Sequence, residues 1–290
     1  MKKKIRNLII LLLLVIAASG IFVVFKYRPD IPFIMRYEIT HLFGSMPQTV
    51  CSFQPDELEV IDLSDSSGKQ HTYNDTLMLI NDEYQLDNQY QPILVTYNSS
   101  DVQMSPAIVN AYSALAAYIS SEFQTSLYIR SSYRSASEQE HILEETPEVA
   151  ANINASEHQT GLSLDVYVPS YAGYALIKTP AGQAVYENCW QYGFIIRYPY
   201  AGEKITGIPH EPWHIRYVGY PHAEYISKNH ITLEEYIDGL NPGEFYQIGD
   251  YLVSRQKEDT LNFPKKATDI VISPDNTGYY IITGLLTPSP

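Results

Sequence analysis

The chain has little cysteine, and little positive charge outside its first 28 residues. Two cysteines, Cys51 and Cys189, stand far apart among 290 residues. Neither has a neighbour at the spacing of a zinc finger or ribbon, so any metal site must be built from nitrogen and oxygen ligands. A disulfide between them is open in an oxidising compartment. Against it, Ala181, Val185 and Cys189 recur every four residues, which reads Cys189 as part of the apolar face of a helix. Six of the 19 basic residues lie in the first 28 positions, where there is no acid. The remaining 262 residues carry 13 bases against 33 acids. A body this acidic excludes capture of nucleic acid or other polyanions by bulk attraction, so an anionic ligand must be gripped locally. Internal repeats and low-complexity tracts are absent as well. What is present is a hydrophobic content of 45% and 25 tyrosines. That suffices for one large domain, or one domain with appendages, and excludes general disorder.

Met1–Arg6 is basic, and Leu8–Phe25 is apolar except for Ser19 and Gly20. As a helix that run reaches roughly 27 Å, just enough for a bilayer core. A cleaved signal peptide ending near Ala17-Ala18-Ser19 competes with an uncleaved anchor. The apolar residues Ile21–Phe25 continue past that point and favour the anchor, because signal-peptide cores run to roughly 7–15 residues. Either way the remainder is expected outside the cytoplasm. The sequence divides into 1–28, a cytoplasmic tail and transmembrane anchor; 29–74, a stalk or lead-in; 75–240, the main domain; and 241–290, a small β-rich appendage.

Within the main domain Leu77–Ile80 reads as a short strand. Ser105-Pro106 opens a helix with a capping hydroxyl and a first-turn proline, and Ile108, Ala111, Tyr112, Leu115, Ile119 and Phe123 form its apolar stripe. Leu127–Ile129 is a strand, and Ser135 with Glu138 forms a capping box for a helix to about Glu145. Leu162–Val168 alternates as a half-buried strand does. Thr179-Pro180 caps a third helix that Gly193 terminates, Phe194–Ile196 and His214–Val218 are strands, and two closing helices lie over Pro221–Lys228 and Thr232–Ile237. Mixed helices and short strands without a βαβ repeat give an α+β fold with a mostly antiparallel central sheet.

Two segments carry the chemistry. Glu211-Pro212-Trp213-His214 sets a carboxylate three residues before an imidazole. Ser156–Asp165 supplies His158 and, seven residues on, Asp165; His214 lies 49 beyond that. Two imidazoles and one carboxylate with an open fourth position suit a catalytic zinc, and a spare carboxylate suits a general base acting on water. The residues therefore suggest a zinc peptidase. An isolated histidine is most often an ordinary hydrogen-bonded or surface residue, and His41, His71, His141 and His230 are read so. His210 is a rival ligand, and His222 is a structural helix start. Glu211 precedes a proline, which biases it to an extended backbone. Trp213 suits a wall of the site. Arg134, between a strand and a capped helix, suits a grip on a carboxylate or a developing oxyanion, with a surface ion pair as the competing reading. Gln139 and Ser156 offer further hydrogen bonds to substrate.

Tyr133-Arg134-Ser135 with Gln139, then Ser156-x-His158-x-x-Gly161-x-x-x-Asp165, then Glu211-Pro212-Trp213-His214-x-x-Tyr217 resemble the VanY-type D-alanyl-D-alanine carboxypeptidases. These are zinc peptidases related to VanX and the hedgehog fold. The resemblance runs from about Leu77 to Ile237. It includes Leu79-Ile80-Asn81, Tyr192–Pro199, and Val218-Gly219 through Leu233–Tyr236. It implies that His158, Asp165 and His214 hold zinc and that Glu211 is the catalytic base. Arg134 would face the substrate carbonyl, with Tyr133, Gln139, Ser156 and Trp213 in the substrate pocket. The implied reaction is attack of zinc-bound water on the last peptide bond of a peptidoglycan stem peptide, releasing D-alanine. The enzyme would be membrane-anchored, wall-facing, and without an obligate protein partner. An L,D-carboxypeptidase or D-Ala-D-Ala dipeptidase of the same fold is the alternative, and a non-catalytic wall-binding or sensor module is a further one. Ser163 departs from the alanine usual in the family.

Overall fold

The computed structural model describes residues 26–41, 45–63, 71–98, 100–145, 151–257 and 261–286, with single positions at 7, 10, 13, 20 and 23. The expected anchor, Leu8–Phe25, therefore lies largely outside the described residues. Among those that are described, no helix is long and apolar enough to cross a membrane.

Helix α1, Asp30–His41, opens the body. Phe33, Ile34 and Tyr37 lie against Ile177, Tyr186 and Ile196, while Arg36 pairs with Glu187. The stretch expected to be a stalk is thus docked at its start. It also supplies β1 (Thr49–Cys51), β2 (Leu58–Val60) and β3 (His71–Tyr73), which pair with strands from the far end of the chain. Strands of three residues persist only where a partner supplies their hydrogen bonds.

Leu77–Ile80 is not the strand its composition suggests. All four residues are buried in an irregular loop. Its backbone is satisfied by the C-terminal region instead: Leu77 N–H donates to Ser273 Oγ, Leu79 N–H to the Asp275 carbonyl, and Asn276 Nδ2 to the Leu79 carbonyl. The apolar run reflects burial on all sides, which composition cannot tell from a strand.

A short hairpin, β4 (Val95–Thr96) with β5 (Gln103–Met104), leads into α2, Pro106–Phe123. The Ser105 hydroxyl caps α2 by accepting from Ala107 N–H, and Ile108, Tyr112, Leu115 and Ile119 are its buried stripe. There follow β6 (Tyr128–Ser131), α3 (Ala136–Glu145), β7 (Ser163–Tyr167), α4 (Pro180–Asn188), β8 (Phe194–Ile196), α5 (Glu203–Thr206), β9 (His214–Tyr217), α6 (His222–Asn229) and α7 (Leu233–Asp238). Strands β6, β7, β9 and β8 form one sheet in that order, antiparallel throughout. Alternation gives its two faces different characters. Leu164, Val166 and Ile215 point into the main core with α2 and α4. Ser163, Asp165, His214 and Arg216 occupy the other face. Cys189 is buried in the same core, and both cysteines are free.

Strands β10 (Phe245–Ile248), β11 (Tyr251–Gln256), β12 (Asn262–Pro264), β13 (Ala267–Pro274) and β14 (Tyr280–Leu286) complete the described chain. A six-stranded sheet runs β1-β10-β11-β14-β13-β3, with β12 and β2 paired separately. Along β14, Ile281 joins a core containing Ile195, Val218, Ile226 and Leu233, while Ile282 joins one containing Phe245, Leu252, Phe263 and Ile272. The β-rich end is therefore bound to the main domain through a shared core.

Candidate metal centre

The register of the central sheet brings the distant motifs together. Asp165 on β7 is the direct cross-strand partner of His214 on β9. On its other side Asp165 pairs with Ser131 of β6. His158 arrives from the 3-10 turn Glu157–Thr160. That turn is closed by Gly161 at φ +69°, where a Cβ would come within 2.7 Å of Leu94 Cδ2 and 2.9 Å of Ser105 N. Only glycine fits both the left-handed backbone and the space, and this tight exit aims His158 at Asp165.

One donor atom from each of His158, Asp165 and His214 lies within 4.8 Å of the others. The outer imidazole nitrogen is held by a carbonyl in His158 and faces the Glu157 carboxylate, 3.8 Å away, in His214. His158 Nδ1 lies 2.8 Å from the Ser132 carbonyl, which leaves Nε2 facing Asp165 Oδ2 at 3.5 Å. His214 presents Nδ1 to Asp165 Oδ1 at 3.2 Å and to Glu211 Oε2 at 3.7 Å. Asp165 Oδ1 is buried without a hydrogen-bond partner among the described residues. Two inward imidazole nitrogens and a buried, unsatisfied carboxylate oxygen form a donor set that fits a divalent zinc.

Glu211 is placed by a turn. Its N–H donates to the Tyr198 carbonyl, and its own carbonyl accepts from His214 N–H, so the two side chains leave the turn side by side. Burial pushes its carboxyl up to about 7; the charge of Asp165 adds to this, and His214 and Arg134 oppose it. Burial pulls His158 down. It pulls on His214 as well, but the facing carboxylates of Asp165 and Glu157 prevail and raise that imidazole to about 9.

Arg134 follows β6 and is oriented by neutral partners. Its Nη1 donates to Gln139 Oε1 at 2.7 Å and its Nη2 to Ser131 Oγ at 3.0 Å, and its backbone N–H donates to the His158 carbonyl. Among the described residues it makes no ion pair, contrary to the surface-pair reading. Gln139 is fully buried, with its amide nitrogen donating to the Ala151 carbonyl at 2.6 Å. Both ends of its amide are engaged inside the protein, so it holds Arg134 instead of reaching outward as expected. Ser156 is buried at the head of the 3-10 turn. Tyr133 is half-buried and donates its backbone N–H to the Gln103 carbonyl. Trp213 packs partly buried against the main core, a wall residue as its size suggests. His210 is outside the cluster, ringed edge-on by Tyr174, Tyr186 and Tyr200. His222 is structural, bonded to Tyr236 and Thr283.

Two residues close to the site escaped the sequence reading. Tyr198 lies with its ring centroid 5.0 Å from that of His214. Glu157, inside the second motif, is fully buried between Arg197 and Arg216. Arginines within otherwise apolar strands were the available signal, because a buried guanidinium requires a buried acid.

Comparison with known proteins agrees with this geometry. Residues 101–220 match the family model described as VanY, D-alanyl-D-alanine carboxypeptidase. A D-alanyl-D-alanine carboxypeptidase of Enterococcus faecium is 31% identical over 230 residues, covering 73% of each chain. Among solved structures, a vancomycin resistance D,D-pentapeptidase VanY E175A mutant in complex with Zn(II) is 26% identical with a TM-score of 0.50. It covers 56% of this chain and 98% of its own. The LdcB LD-carboxypeptidase is 33% identical with a TM-score of 0.52, over 56% of this chain and 86% of its own.

Proposed function

Because the chain belongs to the VanY family of D-alanyl-D-alanine carboxypeptidases, we propose that it removes the C-terminal D-alanine from peptidoglycan stem peptides. In this reading Leu8–Phe25 tethers it to the membrane and the catalytic body faces the wall. The observation that carries the proposal is the convergence of His158, Asp165 and His214 within 4.8 Å, with Glu211 3.7 Å from the inner nitrogen of His214.

His158, Asp165 and His214 would hold zinc, the ion with which a VanY of 26% identity was solved. Bound there, the ion supplies Lewis-acid polarisation of a peptide carbonyl and eases deprotonation of water. Glu211, its carboxyl near neutrality, takes a proton from the attacking water and returns it to the departing amine. Arg134 keeps its charge free of protein carboxylates, so its guanidinium is available to the carbonyl oxygen as negative charge develops there. Gln139 and Ser131 fix the direction in which that guanidinium points. Local recognition by one arginine is what a body with 13 bases and 33 acids requires.

A second reading, removal of the terminal residue from a stem already one D-alanine shorter, is favoured by the higher identity to the LD-carboxypeptidase, 33% against 26%. Incubating the purified protein with a stem pentapeptide ending in D-Ala-D-Ala and with the corresponding tetrapeptide decides between them by product mass. D-alanine release from the pentapeptide is the expected result. Release from the tetrapeptide alone establishes the second reading, and release from neither overturns both.

A further inference from the structure

We infer that Glu157 is a positioning residue for the metal ligand His214. This rests on the metal-site reading above. The ring of His214 is packed against Tyr198, with centroids 5.0 Å apart, and against His158, at 4.9 Å. Packing of this kind fixes the plane of an imidazole but not which edge faces the ion, because a half-turn of the ring fills the same volume. A polar partner must choose the edge. His214 Nε2 points away from Asp165 and has no hydrogen-bond partner among the described residues. The group it faces is Glu157 Oε2, at 3.8 Å.

The carboxylate of Glu157 has its two oxygens assigned to different tasks. Oε1 accepts from Arg197 Nε at 2.7 Å and forms an ion pair with Arg216 Nη1 at 2.8 Å. Oε2 receives the Ser163 hydroxyl at 3.1 Å and looks toward His214. The arginines are themselves held. Arg197 grips both oxygens of Glu234 on α7, and Arg216 Nη2 donates to the carbonyls of Thr76 and Met78. Glu157 is thus a buried anion that cannot swing away, aimed at the outer nitrogen of a ligand whose inner nitrogen faces the ion. A carboxylate in that place fixes the tautomer and strengthens the imidazole as a donor. The Ser163 hydroxyl is a further donor on the oxygen that faces the ring.

The test is zinc affinity of the full-length protein, measured by competition with a chromophoric chelator. Glu157→Gln is expected to weaken zinc binding by about 10- to 100-fold. Glu234→Gln disturbs the same arginine without touching His214, and is expected to leave affinity within about threefold of wild type. Equal losses in the two variants would show that the network only supports the fold and would overturn the proposal, as would unchanged affinity in Glu157→Gln. Loss of Glu157 also strands two buried guanidiniums and can prevent folding, so a measurement on the wild type stands beside it. In the zinc-loaded protein, long-range proton–nitrogen spectra should show His214 protonated at Nε2, with cross-relaxation from that proton to the Glu157 methylenes. A His214 protonated at Nδ1, or no such contact, overturns the inference. A wild-type chain that takes up no zinc removes the metal-site reading itself, and the positioning role with it.

Discussion

Glu211 and Asp165 are both acids beside His214, yet the fold gives them opposite character. Asp165 is held well below the usual carboxylate range: burial alone would raise it, but His158 and His214 outweigh that. Glu211, 23% exposed and facing those charges from one side, is raised to about 7. That difference suits Asp165 to the proposed ligand role and Glu211 to the proposed proton-carrying one, and it depends on the turn that seats Glu211. Replacing Glu211 by Gln should lower kcat by about 10²- to 10⁴-fold while zinc content, measured by atomic absorption on the same preparation, stays at the wild-type level. Loss of the metal with the activity would mean that Glu211 is a ligand. The convergence of His158, Asp165 and His214 was legible because imidazoles and carboxylates at ordered spacings are rare and chemically specific. Glu157 was not, because its partners lie in two other strands and an isolated glutamate carries no mark of burial.

At the level of elements, most of the secondary structure was written locally. Caps at Ser105, Ser135, Thr179 and Thr232 mark four helix starts, and in all four a side-chain oxygen accepts from the first turn as the cap requires. The exception to local reading is Leu77–Ile80, where Leu77 and Leu79 bond to residues nearly two hundred positions later. The start of α6 shows how an element is tied by a single titratable group. His222 donates or accepts at Tyr236 on α7 and Thr283 on β14, and burial holds its imidazole down to about 3. The unfolded histidine, near 6.5, takes a proton that the folded one refuses. Its contribution is therefore complete above about pH 6.5 and is lost as pH falls toward 3. Between pH 7 and 4.5 this group alone should cost on the order of 2–3 kcal/mol. His222→Gln should show a smaller decline over that range, read as denaturant midpoints at the two pH values. Parallel declines would mean that His222 is not responsible.

For the whole molecule, the antiparallel α+β sheet and its flanking helices followed from patterning, but the way the ends of the chain return did not. Short strands from the region read as a stalk complete a sheet whose other members come from the region read as an appendage. Such pairings depend on backbone groups more than on side-chain pattern, and so leave little trace in sequence. Ile195, Val218 and Leu233 share one core with Tyr246, Val253 and Ile281. A chain ended at Leu240 should consequently lose its cooperative thermal transition and bind hydrophobic dye, instead of yielding a minimal active domain; a sharp, wild-type-like melt of that fragment would contradict the shared core. At the opposite end, Tyr186 meets Phe33 and Tyr37 of α1 on one side and His210, the neighbour of Glu211, on the other. The membrane tether proposed above would thereby set the height and tilt of the working face, as a bracket does for a lamp, and the substrates within reach would be those that come to that height.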